Sequence, residues 1–110
     1  IVRLAIMLEN NHSLIDIDLS FNRASVIGAK ALAQMLMFNR TLTELHLKVN
    51  QMGDEGAKAI AQALEKNRSL IKLSLGANEI GIMGIINFIA ALKNNFTLIS
   101  FDIAENQIGD

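Results

Sequence analysis

The sequence repeats itself every 28 residues. A nine-residue phrase, apolar at its first, fourth and sixth positions and ending in Asn, begins at Leu14, Leu42, Leu70 and Leu98 and reads LIDIDLSFN, LTELHLKVN, LIKLSLGAN and LISFDIAEN. A fixed period of this length is typical of a solenoid, because one such unit cannot bury its apolar residues unless neighbouring units stack against it. The period therefore constrains the fold more than any single motif does.

Each repeat divides into a strand, a turn and a helix. In the second repeat, residues 42–47 (LTELHL) alternate apolar and polar side chains, which predicts a strand. Residues 57–67 (AKAIAQALEKN) have apolar residues three and four apart, which predicts a helix, and Asp54 and Glu55 suit its positive N-terminal end. The corresponding helices are predicted to begin at Gly28 and Gly84. The fold class is α/β, a solenoid with a parallel sheet on its concave face and helices on its convex face.

The whole chain, 1–110, is predicted to be a single array. Residues 1–13 align without a gap with residues 29–41, so they form the end of a preceding repeat. Complete repeats follow at 14–41, 42–69 and 70–97, and a partial repeat occupies 98–110. Neither end has the polar capping unit that solenoids require for solubility. We therefore expect a fragment of a longer array, or ends covered by a partner or by a second copy.

Three sets of residues are predicted to be structural. The phrase-ending asparagines should form a stacked ladder, because a buried Asn both donates and accepts hydrogen bonds. One set of glycines should allow close packing where the helices begin. A second set recurs in the turns, except in the first repeat, where Ser25 takes the place of glycine. Asn-x-Ser/Thr triplets occur only at the helix-to-strand turn, which indicates turn residues rather than glycosylation acceptors, and Asn67 is expected in a left-handed conformation. The sets are Asn22, Asn50, Asn78 and Asn106; Gly28, Gly56 and Gly84 with Gly53, Gly81 and Gly109; and Asn11, Asn39, Asn67 and Asn95.

The repeat resembles the ribonuclease-inhibitor subfamily of leucine-rich repeats. That subfamily includes NOD-like receptors, activators of the GTPase Ran, actin-capping tropomodulins and effectors that intracellular bacteria inject into host cells. The resemblance implies a horseshoe segment with strands on the concave face and helices outside. We expect it to bind proteins and to have no enzymatic activity. It is carried by Leu70, Leu73, Leu75, Asn78, Ile80, Gly81, Gly84, Phe88, Ile89, Leu92, Asn95 and their counterparts.

Composition excludes several classes of function. The net charge is −1, so no basic excess exists to neutralise nucleic-acid phosphates. The chain has no Cys, which excludes disulfides and thiolate zinc sites, and no apolar run approaches the ~20 residues of a membrane span. A cytoplasmic location is predicted, in the host cytoplasm if the protein is a bacterial effector.

The concave strand face is the predicted binding site for a protein partner, because its variable positions are free to differ between repeats. An acidic cluster of Asp16, Asp18 and Glu44 beside His46 would suit a basic partner. The predicted contact residues are Asp16, Asp18, Thr43, Glu44, His46, Lys48, Lys72, Ser74, Ser100 and Asp102.

Metal and catalytic sites are predicted to be absent from this face, and no cofactor is predicted. His46, Asp18 and Glu44 are acceptable metal ligands, but we expect the sheet to splay them apart. His46 could contact Ser74 on the next strand, with Asp18 or Asp102 as a third member, yet no nucleophile elbow or oxyanion hole accompanies them. A solvated polar face explains these residues better.

The third helix is predicted to be apolar on its convex side, which suggests a second contact through Ile82, Met83 and Ile86. Two alternatives to concave-face binding remain. A regulator of a GTPase would need rim residues, for which Arg23 and Gln51 are candidates. An architectural segment, such as an actin-regulatory tropomodulin-like array, would self-associate through its ends or through the apolar third helix.

Overall fold

The computed structural model describes residues 1–107, in which helices and strands alternate along the chain. The last residues of the predicted partial repeat 98–110, including Gly109, lie outside the described residues. The elements are α1 (Val2–Glu9), β1 (Asp16–Asp18), α2 (Ser25–Phe38), β2 (Glu44–His46), α3 (Gly53–Leu64), β3 (Lys72–Ser74), α4 (Ile82–Leu92) and β4 (Ser100–Asp102).

The strands form one parallel sheet in the order β1-β2-β3-β4, and consecutive helices pack side by side. Each strand is shorter than the alternating segment of the sequence. Backbone hydrogen bonds between neighbouring repeats nevertheless continue beyond the strands, for example from the Leu19 amide to the His46 carbonyl at 2.8 Å. The predicted α/β leucine-rich repeat fold is confirmed. Within residues 1–107, none of the helices combines the length and apolar composition that crossing a membrane would require.

The core lies between the sheet and the helices and is most complete in the two central repeats. Leu45 and Leu73 are fully buried, because each has a strand on both sides. Their counterparts Ile17 and Phe101, in β1 and β4, are only partly buried. Burial therefore depends on neighbouring repeats, as a stacked architecture requires.

The predicted asparagine ladder runs through the turn that follows each strand. The Asn78 amide nitrogen donates to the carbonyl of Leu47 in the preceding repeat at 2.8 Å and to that of Leu75 at 3.1 Å. Its side-chain oxygen accepts from the Asn50 backbone amide at 2.8 Å. Asn50 and Asn106 make the corresponding bonds. These bonds satisfy backbone groups that the turn would otherwise leave unpaired.

A second asparagine ladder occupies the helix-to-strand turns. The Asn67 side-chain nitrogen donates to the Leu36 carbonyl at 2.9 Å, and its oxygen accepts from the amides of Ser69 and Leu70. Asn39 and Asn95 repeat this pattern. The expectation of a left-handed Asn67 is wrong: in the described residues it is not among those with positive φ. Its side chain, rather than its backbone conformation, joins the repeats.

The helices begin under tight packing constraints. A Cβ on Gly56 would lie 3.0 Å from the Ala29 Cβ, so glycine permits the close approach of α3 to α2. α2 begins at Ser25, one turn earlier than the prediction from Gly28. Ser25 has φ 60°, close to the 62° of Gly53 at the same repeat position.

The Asp54 side chain connects α3 to the following helix. Its carboxylate accepts hydrogen bonds from the backbone amides of Gly81 and Gly84 at 2.7 and 3.0 Å.

Candidate functional site

The side of the sheet turned away from the helices, which we call the concave face, presents two columns of side chains. The register pairs Asp16 with Glu44, Glu44 with Lys72 and Lys72 with Ser100. The second column is Asp18, His46, Ser74 and Asp102. This is the register that the 28-residue spacing predicts, since equivalent residues of stacked repeats face one another. All eight side chains remain accessible above the buried leucines.

His46 is the centre of a polar cluster, because both of its ring nitrogens have partners. Its Nε2 atom lies 3.4 Å from Glu44 Oε2 and 3.6 Å from Asp16 Oδ1. Its Nδ1 atom lies 3.3 Å from the Ser74 hydroxyl. The sequence analysis expected the sheet to splay His46, Glu44 and Asp18 apart. His46 and Glu44 converge instead, and Asp16 rather than Asp18 is the third member of the cluster. Side chains on adjacent strands, about 4.8 Å apart, are long enough to bend toward one another.

Asp18, which the sequence analysis considered as a metal ligand or triad member and set aside, does not join this cluster. Its carboxylate instead accepts from the Ser20 amide at 2.9 Å. Hydrogen bonds from the hydroxyl and amide of Ser20, aided by the charge of His46, hold the pKa of the Asp18 carboxyl below its ordinary value. The stabilisation from this shift is present above the ordinary pKa and is lost only as pH falls through the lowered one.

The His46–Ser74 contact that the sequence suggested is formed, but its surroundings do not resemble a catalytic triad. The carboxylates beside the ring are Glu44 and Asp16, whereas Asp18 and Asp102 were the candidates. Ser74 lies within a parallel strand, and the next amide, that of Leu75, donates to the Asp102 carbonyl at 2.7 Å. That N–H is therefore not free to stabilise an oxyanion.

An exposed aromatic side chain beside the strands was missed by the sequence analysis. Phe21 is 70% exposed, has φ 62° and borders a shallow open depression on the concave face. The signal was available, because Val49, Ala77 and Glu105 occupy this position in the other repeats. The residues that line the depression are Asp18, Ser20, Phe21, His46, Lys48, Ser74 and Asp102.

The remaining predicted contact residues occupy the edges of the concave face. Thr43 precedes β2, and its hydroxyl donates to the Ile15 carbonyl at 3.0 Å, so part of its polarity is used within the sheet. Lys48 follows β2, and its ammonium group lies 3.5 Å from the Glu105 carboxylate. Glu105 therefore adds an acidic group that the sequence analysis did not include. Arg23 and Gln51, the rim candidates, are exposed and share a left-handed conformation.

The convex face is polar in the middle of the array and apolar on α4. Lys30 of α2 and Glu55 of α3 form an exposed ion pair at 3.1 Å. Met83 and Ile86 occupy the repeat positions of Glu55 and Lys58 and are exposed. The sequence analysis grouped Ile82 with Met83 and Ile86. Ile82, however, occupies the repeat position of Asp54, and Asp54 faces the following helix. Ile82 therefore lies on the side of α4 that is turned away from α3.

Comparison with known proteins agrees with this architecture. A family model described as "Leucine Rich repeat" matches residues 38–61 and 94–110. No curated protein matches the chain. A solved structure of leiomodin-1 actin-binding site 2 has a TM-score of 0.87 and 22% sequence identity, and the match covers 98% of this chain. The C-terminal domain of tropomodulin from Caenorhabditis elegans has a TM-score of 0.83 and 14% identity, over 96% of this chain.

These likenesses concern the fold, because sequence identity to both structures is low. This chain spans 65% of the length of each of the two solved chains. Both are similar to it in the stacking of helices and strands, which is the property that the 28-residue period predicts. The family model and the two structures together support a leucine-rich repeat fold for this chain.

Proposed function

We propose that this chain, a leucine-rich repeat protein of the ribonuclease-inhibitor-like kind, binds a protein partner through its concave face. The observation that carries the proposal is the two-column register, which places polar and charged side chains of four strands on one accessible surface. The leucines beneath them are buried, so the surface is held by a rigid core. Rigid presentation favours binding, because little conformational entropy is lost on association.

The charge distribution suggests the chemistry of the partner. Asp16, Asp18 and Glu44 make the β1 side of the face acidic, whereas Lys72 lies on β3. A partner with basic groups opposite β1 and β2 and an acidic group opposite β3 would be complementary. Phe21, beside the acidic groups, offers the aromatic contact that interfaces commonly use as an anchor.

We propose a binding role rather than an enzymatic one, and a cytoplasmic location. The support for the first is the strand-bound position of Ser74, which leaves the nearest amide engaged with Asp102. The support for the second is the complete lack of Cys, which extracellular proteins of this class use to cap their arrays.

Exchanging charges on the concave face should abolish capture of the partner. Glu44 and Lys72 are neighbours in register, so Glu44→Lys with Lys72→Glu reverses the charge pattern while keeping opposite charges adjacent. Immobilised wild-type chain and variant would be exposed to the same cell lysate, and retained proteins identified by mass spectrometry. We expect at least one protein that the wild type retains and the variant loses.

The matched control exchanges a convex pair instead, Lys30→Glu with Glu55→Lys. Lys30 and Glu55 are exposed and carry one charge of each sign, so this exchange leaves the net charge unchanged, as the exchange of Glu44 and Lys72 does. The control should retain the same partner as the wild type. Identical sets of proteins on all three chains would refute binding through the concave face.

A second, more specific candidate function is the binding of actin by the same concave face. The observation that favours it is the TM-score of 0.87 with leiomodin-1 actin-binding site 2 over 98% of this chain. We expect the chain to bind purified actin, measured with fluorescently labelled monomers and by co-sedimentation with filaments. The Glu44→Lys/Lys72→Glu variant should bind less than the wild type. If the chain binds neither actin monomers nor filaments, actin is excluded as its partner. Another protein could still be the partner.

A further inference from the structure

Three side chains on adjacent strands aim their donor atoms at one point of the concave face. They are Asp16 of β1 and Glu44 and His46 of β2, and one ligand atom from each lies within 4.8 Å of the other two. The point is open to solvent, because Asp16 is exposed and the other two side chains are partly buried.

We propose that these three residues bind a divalent transition-metal ion, for which zinc is the appropriate probe. Imidazole nitrogen with carboxylate oxygen is a donor set that zinc accepts, whereas magnesium and calcium prefer oxygen alone. Three protein ligands leave a fourth tetrahedral position for water. This proposal does not depend on the protein partner, because it concerns the cluster alone.

The two distances from His46 to the carboxylates are close to those between two ligands of one ion. Two ligands about 2.1 Å from a tetrahedral zinc ion lie about 3.4 Å from each other. The His46 Nε2 atom is 3.4 Å from Glu44 Oε2 and 3.6 Å from Asp16 Oδ1. A charge-assisted hydrogen bond between imidazole and carboxylate would be shorter, about 2.7–2.9 Å.

Ser74 supplies the outer contact that metal-binding histidines usually have. Its hydroxyl lies 3.3 Å from His46 Nδ1, on the side of the ring opposite the carboxylates. If the hydroxyl accepts the Nδ1 proton, the Nε2 lone pair faces Asp16 and Glu44. An outer hydrogen bond of this kind fixes both the tautomer and the orientation of the ring.

The charge of the cluster also favours a cation. Two carboxylates approach one another here, and in residues 1–107 neither of them pairs with a Lys or Arg side chain at ion-pair distance. Lys72 follows Glu44 in register, yet it forms no ion pair in this part of the chain. A bound divalent ion would offset the repulsion between the two carboxylates.

Isothermal titration of the full chain with zinc chloride at neutral pH tests the site. We expect one ion per chain for the wild type and no detectable binding for His46→Ala or for the nearly isosteric Glu44→Gln. Ser74→Ala should weaken binding about tenfold, because only the outer contact is lost. The controls His12→Ala and Asp102→Asn remove the other histidine and a nearby acid outside the cluster, and should bind as the wild type does. Circular dichroism would confirm that each variant is folded.

Nitrogen NMR of the histidine rings provides a second readout that does not depend on a folded variant. Zinc should move the His46 Nε2 resonance strongly and leave the His12 ring unchanged. No zinc binding by the wild type, or equal binding by wild type, His46→Ala and Glu44→Gln, would overturn the proposal. So would a zinc-induced shift confined to His12.

Discussion

Asn78→Ala lowers the free energy of unfolding by about 3–5 kcal/mol, because several buried backbone groups lose their partner at about 1–3 kcal/mol each. The Asn78 side chain is 0% exposed and bonds to the carbonyls of Leu47, Leu75 and Gly76 and to the Asn50 amide. Two of these groups belong to the preceding repeat. The substitution therefore weakens the contact between repeats as well as its own turn.

Urea denaturation measures this loss, and Asn22→Ala is the matched control. Asn22 has the same position in its repeat and donates to the Leu19 carbonyl at 2.7 Å, but it is exposed and water can replace it. We expect a cost of about 1 kcal/mol there, the usual net contribution of one hydrogen bond. Equal losses for the two variants would contradict the claim that burial and the bonds to the preceding repeat make Asn78 the costlier position.

Leu45→Ala costs about 3–4 kcal/mol, because a fully buried leucine is truncated and the surrounding side chains cannot fill the cavity. Leu45 is 0% exposed and lies between Ile17 and Leu73 in register. In a stacked array the stability of each repeat depends on its neighbours. The loss should therefore appear as a lower midpoint of one unfolding transition.

Ile17→Ala is the comparison for Leu45→Ala, measured by the same denaturation. Ile17 occupies the same position in β1, where it is only partly buried. We expect a smaller cost of about 1–2 kcal/mol, since less apolar surface is protected from water. A cost for Ile17→Ala as large as that for Leu45→Ala would contradict the dependence on flanking repeats.

The repeat period was sufficient to predict the architecture and the register of the sheet. Leu45 faces Leu73, and Glu44 faces Lys72, because residues one period apart must stack in a solenoid. The Asn50–Asn78 ladder was also predictable, since a buried amide in a turn requires backbone partners. These features depend on spacing and on residue type, and both can be read from a sequence.

Contacts that depend on side-chain conformation were not predictable in this way. The sequence places His46 and Glu44 on one face of β2, but whether they converge with Asp16 depends on rotamers that no periodicity specifies. The second ladder was missed because Asn67 and Leu36 lie in neighbouring repeats, whereas turn chemistry was read locally. Phe21 was missed because it lies in the turn that follows the alternating residues of the phrase, where apolar side chains were not examined.

Site-specific photo-crosslinking tests binding through the concave face most directly. A photoreactive amino acid would replace exposed Ser100 on the concave face or exposed Lys58 on the convex face, and each chain would be irradiated in the same cell lysate. We expect a protein crosslinked from position 100 that is absent or much weaker from position 58. Crosslinks to that partner from position 58 alone would contradict the account.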